Sequence, residues 1–231
     1  MRFDVLTLFP DLIQTHLEFS IIKRAITEGI IQVNTINPRD YTLDKHKKVD
    51  DTPYGGGAGM VLAPQPYVDA YEKINKEDNS ITIMMTPQGE PFTHEISKEL
   101  AQYDQVIILC GHYEGYDERI REIIKPREIS IGDFVLTGGE LPALCIIDSV
   151  SRNIEGTLGK IESAHDDSFA DGLLEYPQYT KPREYRGLEV PEVPLNGNHK
   201  LIEEFRKQQK IERTKVQRPD LYKKWLEKKK N

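Results

Sequence analysis

The sequence predicts an α/β fold built on a parallel β-sheet with helices on both faces. Strand-like and helix-like patterns alternate from residue 3 to about residue 153. The strand-like stretches are almost continuously apolar, as in the run VIILC at 106–110. This alternation is typical of parallel sheets that are buried on both faces. Glycine-bearing loops follow three of the strands, and ligands of open α/β sheets bind beyond the carboxyl ends of the strands.

The individual elements follow from hydrophobic spacing and from residues that break or cap a helix. Strands are expected at 3–8, 30–36, 81–85, 106–110 and 129–131. Helices are expected at 12–26 with Gly29 as the C-cap, and at 67–74, 93–103, 117–124 and 141–153. Residues 37–60 are expected to form a long irregular segment, and a loop of this length inside a domain is usually functional or disordered.

The stretch ISIGDFVLTGGELP at 129–142 differs from a plain connection between a strand and a helix. Three glycines interrupt it. Glycines let a flat ligand lie against bare backbone, and the apolar residues between them can sandwich a ring. A turn that serves only chain geometry is the alternative. Because the loops at 86–89 and 111–115 can converge on this stretch, ligand binding is the favoured interpretation.

The bulk composition restricts the class of protein. The chain has 231 residues and a hydrophobic content of 38%, without an apolar run long enough to span a membrane. The first residues lack the layout of a signal peptide. We therefore expect a cytoplasmic protein that does not associate with membranes. Cys110 and Cys145 fit no metal or redox spacing and are expected to be small, buried apolar residues.

Charge is distributed unevenly along the chain. Residues 200–231 carry 12 Lys or Arg and 5 Asp or Glu, a balance of +7, whereas residues 1–199 carry 19 and 33, a balance of −14. A basic segment can contact nucleic-acid phosphates, although a solvated helix surface is the commoner explanation. The pattern predicts a first domain at 1–160, a flexible acidic linker at 161–172 and a mostly helical basic domain at 173–231, with helices at 199–209 and 219–229.

Several common catalytic motifs are missing. The glycine-rich loop at 55–59 has neither the Gly-Lys-Ser/Thr ending of a phosphate-binding loop nor the third glycine of a dinucleotide fingerprint. No G-x-S-x-G elbow occurs, the histidines are scattered, and neither cysteine has the setting of a nucleophile. These exclusions leave a pocket for an apolar, adenine-like ligand, a few carboxylates and arginines, and a basic C-terminal segment.

Six motifs resemble the bacterial tRNA (guanine-N1)-methyltransferase family. They are LTLFP at 6–10, PYGGGAGMV at 53–61, GHYEGYDERI at 111–120, SIGDFVLTGGELP at 130–142, DSVSR at 148–152 and DDSFADGLLEYPQYTKP at 166–182. Several are long and ungapped. The resemblance runs from the first residues to the basic C-terminus, and the part after about Arg218 is the least distinctive.

The resemblance implies the knotted SPOUT methyltransferase fold, in which the C-terminal chain threads through a loop to form a trefoil knot. General rules of chain connectivity disfavour such a knot. In this family the first domain holds the knot and binds S-adenosylmethionine, and the C-terminal domain binds tRNA. The cofactor-binding residues that the resemblance implies are Pro87, Gly111, Tyr113, Glu114, Ile131, Gly132, Asp133, Phe134, Val135, Leu136, Gly138, Gly139 and Pro142.

The reaction that the resemblance implies is methylation of N1 of the guanosine at position 37 of tRNA, 3′ of the anticodon. N1 carries a proton at neutral pH, so the reaction needs a general base, and the charge that spreads to O6 needs a partner. By resemblance, Asp167 is the base and Arg152 stabilises O6. His165 and Asp166 are the nearest rivals for the base. The ordinary alternative for Asp167 is a solvated carboxylate in a linker. For Arg152 it is a cation that interacts favourably with the dipole at the C-terminus of a helix.

The family also implies a homodimer with the active site at the subunit interface. A divalent cation such as Mg²⁺ near the base is compatible with the chemistry, but no residue cluster in the sequence supports a metal site.

Two other classes of protein fit part of the pattern: a non-catalytic RNA-binding factor, and a SPOUT methyltransferase that acts on ribose or on ribosomal RNA. Ribose methylation needs no guanine-N1 base, so Asp167 distinguishes these classes.

Overall fold

A five-stranded sheet organises the first part of the chain. Its strands are β1 (Arg2–Leu6), β2 (Gln32–Ile36), β5 (Ser80–Pro91), β6 (Gln105–Cys110) and β7 (Arg127–Ser130), in the order β2-β1-β6-β5-β7. All four pairings are parallel. The short strands β3 (Asp50–Asp51) and β4 (Val61–Leu62) form a separate antiparallel pair. The predicted α/β class with a parallel sheet is therefore confirmed.

The computed structural model describes residues 1–158 and 167–229, and the chain divides into two units, Met1–Gly159 and Lys160–Asn231. The helices of the first unit are α1 (Pro10–Leu17), α2 (Ser20–Thr27), α3 (Pro64–Glu72), α4 (His94–Leu100), α5 (Glu118–Ile124) and α6 (Glu140–Ser151). The second unit contains the hairpin β8 (Glu184–Tyr185) and β9 (Leu188–Glu189), followed by α7 (His199–Gln217) and α8 (Pro219–Lys228).

Two hydrophobic cores lie on opposite faces of the sheet. In β6, Val106 and Ile108 belong to the core that includes residues of α1, α4 and α6, whereas Ile107 and Leu109 belong to the core with α3 and α5. Successive side chains of a strand point to opposite faces, so a strand that contributes to both cores must be apolar throughout. This explains the uninterrupted apolar run that the sequence shows in β6.

The segment at 12–26 is not the single helix that its spacing predicts. It forms two helices, because Phe19 is extended and Ser20 has a φ of +56°. Serine competes for backbone hydrogen bonds and is a weak helix former. The apolar spacing continues across the break, which is why the pattern alone does not reveal it.

Strand β5 is longer than predicted. The expected turn at 86–89 is an excursion within the strand, since both Met85 and Glu90 pair with Ile129 of β7. A Cβ on Gly89 would lie 2.4 Å from the backbone of Glu128 and Ile129, so only glycine fits where the strand returns to the sheet. The excursion projects four residues at the end of the sheet where the loops after β6 and β7 also lie.

Helix α6 is buried on one side only, and the expectation that Cys145 is buried is wrong. Cys110 is fully buried, whereas Cys145 is exposed and Leu141 has 52% of its surface exposed. The remaining apolar residues of α6 face the core. Asp148 is exposed on the same face as Leu141 and Cys145, so the helix sequence carries a weak polar signal for the face that is left uncovered.

The second unit has more regular structure than the sequence predicts. Arg186 and Gly187 have φ values of +53° and +79° and form the two-residue turn between β8 and β9, a conformation that suits hairpins. Helix α7 extends eight residues past the expected end at Gln209, and it ends before Pro219, which disfavours helix in the preceding residue. Residues 159–166, which include His165 and Asp166, lie outside the described residues.

Candidate functional site

Three loops converge at one end of the sheet, as the sequence predicts: the excursion within β5 and the loops that follow β6 and β7. They enclose a cavity of about 500 Å³, which lies within the range of pockets that hold a small ligand. The described residues that line it are Met85, Thr86, Pro87, Gln88, Gly111, His112, Tyr113, Glu114, Gly115, Tyr116, Glu118, Arg121, Ile129, Ser130, Ile131, Gly132, Phe134, Val135, Leu136, Thr137, Gly138, Gly139 and Pro142.

The loops after β6 and β7 are joined by direct backbone contact. The Gly139 amide donates to the Gly111 carbonyl at 2.9 Å, and His112 and Gly138 form an antiparallel bridge. A Cβ on Gly139 would lie 2.7 Å from the Cα of Cys110, and a Cβ on Gly138 would lie 2.2 Å from the His112 ring. Such distances are too short for any side chain, so both glycines are required by the close approach.

A buried carboxylate also holds the loops after β6 and β7 together. Glu140 is 2% exposed; its Oε1 accepts a hydrogen bond from the Thr7 hydroxyl at 2.6 Å, and its Oε2 lies 2.6 Å from Nε2 of His112. The carboxylate also lies in the first turn of α6, where the helix dipole stabilises negative charge. Glu140 therefore ties the end of β1 and the loop after β6 to the start of α6. The role of Glu140 is not among those predicted from the sequence, although a glutamate directly after Gly-Gly at a helix start is a signal for it.

The outer wall of the cavity depends on Arg121, which sequence analysis also missed. Its guanidinium donates to Gln88 at 3.0 Å, to Glu128 at 3.2 Å and to Glu118 at 3.1 Å. These bonds connect the excursion of β5 with α5 and β7. A planar guanidinium with several donors suits this bridging role.

Tyr116 lines the cavity and carries a buried hydroxyl group. Its ring occupies the space next to Gly111, where a Cβ would lie 2.8 Å from the ring, and it packs edge-on against Tyr67 at 5.5 Å. Burial raises the pKa of Tyr116 well above its usual value, so the hydroxyl stays protonated. Within the described part of the chain this hydroxyl has no hydrogen-bond partner, which is unusual for a buried polar group.

The side of the cavity formed by the loop after β7 is apolar and open to solvent. Phe134 is 53% exposed, Val135 82% and Leu136 38%. Gly132, with a φ of +152°, brings the chain so close that a Cβ would lie 2.5 Å from the Phe134 ring. Exposed apolar side chains around a cavity are typical of a ligand-binding surface.

Most of the residues expected to bind the cofactor line this cavity. Asp133 is described by the structure but does not line it. Glu114 does, and its side chain also covers the glycine-rich loop, since a Cβ on Gly59 would lie 2.3 Å from its Oε1. The function of these residues stays a prediction.

The two expected catalytic residues belong to different units. Arg152 is the C-terminal capping residue of α6 and is exposed. Asp167 is half-buried at the start of a turn in the second unit, where its carbonyl accepts a hydrogen bond from the Ala170 amide at 3.3 Å. Neither residue lines the cavity of the first unit. Their catalytic roles stay predictions.

Other chemistries find little support in the described residues. Burial raises the pKa of the Cys110 thiol well above its usual value, so it is a poor nucleophile. Residues 1–158 and 167–229 contain no group of three or more His, Cys, Asp or Glu side chains that could hold a metal ion. Among the same residues, no helix combines the length and apolarity needed to cross a membrane.

Comparison with known proteins agrees with the motifs and the cavity. Residues 1–224 match the family described as tRNA (Guanine-1)-methyltransferase TrmD. The chain belongs to this family. A tRNA (guanine-N(1)-)-methyltransferase of Staphylococcus epidermidis is 56% identical over 221 residues, covering 96% of this chain and 90% of the relative. One from Desulforamulus reducens is 54% identical over 226 residues, covering 96% and 89%, and one from Staphylococcus carnosus is 53% identical over 225 residues, covering 97% and 92%.

Membership of a methyltransferase family implies S-adenosylmethionine as the methyl donor, and the cavity fits such a molecule. The bare backbone at Gly111, Gly138 and Gly139 offers surface to a flat base. The buried hydroxyl of Tyr116 is a donor without a partner among the described residues, and the apolar loop after β7 suits a ring. The structure gives no comparable support for Mg²⁺.

The close approach at Gly139 leads to a test of the cavity. Its φ of −83° is accessible to any residue, so Gly139→Ala acts only through the contact of the new Cβ with Cys110. We expect the loops to separate and the affinity for S-adenosylmethionine, measured by calorimetry, to fall at least about tenfold. Gly29→Ala is the matched control, because Gly29 has a φ of +71° and open space around it. It should lower the unfolding temperature without changing affinity. Wild-type affinity in Gly139→Ala would contradict this account of the cavity.

Proposed function

We propose that this protein transfers a methyl group from S-adenosylmethionine to N1 of the guanosine at position 37 of tRNA. The observation that carries the proposal is the cavity formed by the three loops, whose lining includes all the residues implied for cofactor binding except Asp133. Membership of the methyltransferase family supports the type of reaction, and the names of the relatives support guanine N1 of tRNA as the acceptor. Position 37 rests on the resemblance of the motifs.

The residues of the chain supply alignment and proton transfer. Bound S-adenosylmethionine supplies a methyl group that is already activated for transfer. The backbone of Gly138 and Gly139 and the side chains of the loop after β7 hold and orient it, and alignment accounts for much of the acceleration in such transfers. Asp167 accepts the proton from guanine N1. Arg152 stabilises the negative charge that develops on O6.

The basic second unit is proposed to bind tRNA. Residues 200–231 have a balance of +7, and in α8 the rings of Tyr222 and Trp225 stack at 6.0 Å with the Lys229 ammonium 4.0 Å from the centre of the Trp225 ring. Basic side chains beside aromatic rings suit phosphates and unpaired bases. The trefoil knot of SPOUT methyltransferases is proposed for the first unit from the resemblance of the motifs.

A homodimer is proposed because α6 leaves an apolar strip uncovered in the single chain. Leu141 and Cys145 are exposed on α6, and Leu12 is 42% exposed on α1, which packs against α6. Exposed apolar side chains on helices that pack together are compatible with a protein interface. By resemblance to the family, Asp167 of one subunit is proposed to lie over the cofactor of its partner.

The substrate assignment can be tested with unmodified tRNA transcripts. We expect methylation of a transcript with guanosine at positions 36 and 37, because N1 of G37 is the acceptor. A transcript with adenosine at position 37 should accept no methyl group, and one with adenosine at position 36 should react more slowly. Radioactive methyl incorporation and nucleoside analysis measure the product. Methylation of ribose, or of another guanosine in the A37 transcript, would contradict the proposal.

The dimer can be tested with Leu141→Lys. A buried lysine at the interface is costly, so sedimentation should detect a monomer that has lost methyl transfer. Leu43→Lys is the control, because Leu43 is 85% exposed and lies outside the strip. Cys145 should react slowly with a thiol reagent in the wild-type dimer and rapidly in Leu141→Lys. A wild-type monomer with full activity would exclude the dimer.

The catalytic roles can be tested by the pH dependence of single-turnover rates. Asp167→Asn keeps the shape of the side chain but removes the base, which should cost on the order of 10²–10⁴ in rate near pH 7. The deficit should shrink as pH rises, since guanine N1 then loses its proton unaided. The deficit of Arg152→Ala should persist at high pH, because the anionic base still needs a partner for O6. A wild-type rate for Asp167→Asn at neutral pH would assign the role to Asp166 or His165.

A further inference from the structure

One turn of α7 holds a charged side chain inside the second unit. Lys210 is 7% exposed, although the helix around it is rich in exposed charge. Its ammonium lies 2.6 Å from Oδ2 of Asp171. A buried lysine requires a partner, because an unpaired ammonium is expensive to remove from water. Asp171 supplies that partner from the segment that begins with Asp167.

The next turn of the same helix makes a second connection to this segment. Thr214 is fully buried, and its hydroxyl accepts a hydrogen bond from the Leu174 amide at 2.9 Å while donating to the Lys210 carbonyl at 2.6 Å. A threonine hydroxyl bonded to the carbonyl four residues earlier has a fixed direction. Lys210 and Thr214 thus hold Asp171 and Leu174 at two points about one helical turn apart.

Hydrogen bonds within residues 167–175 hold this segment in a compact turn. The Phe169 amide donates to the Leu173 carbonyl at 2.7 Å, and the Glu175 amide donates to the Ser168 hydroxyl at 3.0 Å. Phe169 has a φ of +78°, a conformation that a bulky residue adopts only where its surroundings impose it. The Ala170 amide bonds to the Asp167 carbonyl. Asp167 is therefore the first residue of an ordered turn rather than part of a free chain.

We propose that Lys210 and Thr214 are positioning residues, which set the place of Asp167 by holding the 167–175 turn against α7. The inference rests on the proposed function, in which Asp167 is the general base. Transfer of a proton needs the acceptor within hydrogen-bond reach, and a misplacement of about 1 Å can cost on the order of 10² in rate. The two residues act through the backbone of the turn.

The chemistry of the pair favours positioning over simple stabilisation. The Lys210 side chain is 9% exposed and that of Asp171 is 48% exposed. Such a partly buried ion pair contributes little net stability, and the best-attested use of a buried charge is to fix one register. Apolar side chains at 171 and 210 would make a contact without a fixed direction. The Lys210–Asp171 bond instead selects the one register that leaves the Thr214 hydroxyl opposite the Leu174 amide.

The test is a double-mutant cycle on the single-turnover rate, with enzyme and tRNA saturating. Lys210→Met and Thr214→Val should each slow methyl transfer about 10- to 100-fold and leave the affinity for S-adenosylmethionine unchanged. In an Asp167→Asn background the same changes should cost nothing further, because the group that they position is already gone. Glu28→Gln is the control. It breaks a surface pair with Arg24, 3.9 Å apart at the end of α2, and should leave the rate unchanged.

A variant that keeps the charge covers the case in which Lys210→Met does not fold. Lys210→Arg retains the positive charge but moves it, so it should keep the unfolding temperature and slow the transfer severalfold. Equal losses from Lys210→Met or Lys210→Arg with and without Asp167 would show a merely structural role and overturn the inference. Wild-type rates in Lys210→Arg and Thr214→Val would also overturn it. A wild-type rate in Asp167→Asn alone would instead defeat the proposed role of Asp167, which separates the two failures.

Discussion

The Gly139 backbone lies against that of Cys110 and Gly111, and Gly138 lies against the His112 ring, with no room for a Cβ at either glycine; the rest of the site depends on this contact. It fixes the distance between the loops after β6 and β7, and hence the width of the cavity. It also sets the start of α6, which directs the Glu140 carboxylate to His112 and Thr7. A larger residue at either glycine would disturb the cavity, the helix start and the buried carboxylate together.

The order of the sheet explains why three loops meet at one place. Strand β5 lies between β6 and β7, and parallel strands end on the same edge of a sheet, so their following loops are neighbours. The excursion at 86–89 adds a wall without ending β5, because Glu90 resumes pairing with β7. Arg121 then bonds this wall to α5 and β7. The cavity is thus built on paired strands, which is a more rigid support than free loops.

The sequence predicts those features that are encoded locally. Alternating apolar strands and helices predict the parallel sheet, and glycines after strands predict the three loops. The contact between Glu140 and Thr7 joins residues 133 positions apart, and no local pattern predicts it. The break at Ser20 is hidden because the apolar spacing continues through it. The exposure of Cys145 depends on which neighbours α6 has, and Asp148 on the same face is only a weak signal among the apolar residues of the helix.

The second unit shows why a run of charge needs a structure for its interpretation. From composition, every lysine of α7 is equivalent and suits either solvent or phosphate. The fold separates them, since Lys210 is buried against Asp171 whereas Lys207 and Lys215 are exposed. The exposed lysines can contact a nucleic acid and respond to salt, whereas the Lys210–Asp171 pair is partly buried and is screened less by salt. One helix can therefore have two functions. Its exposed lysines are available to a substrate, and its buried side holds the turn that begins with Asp167.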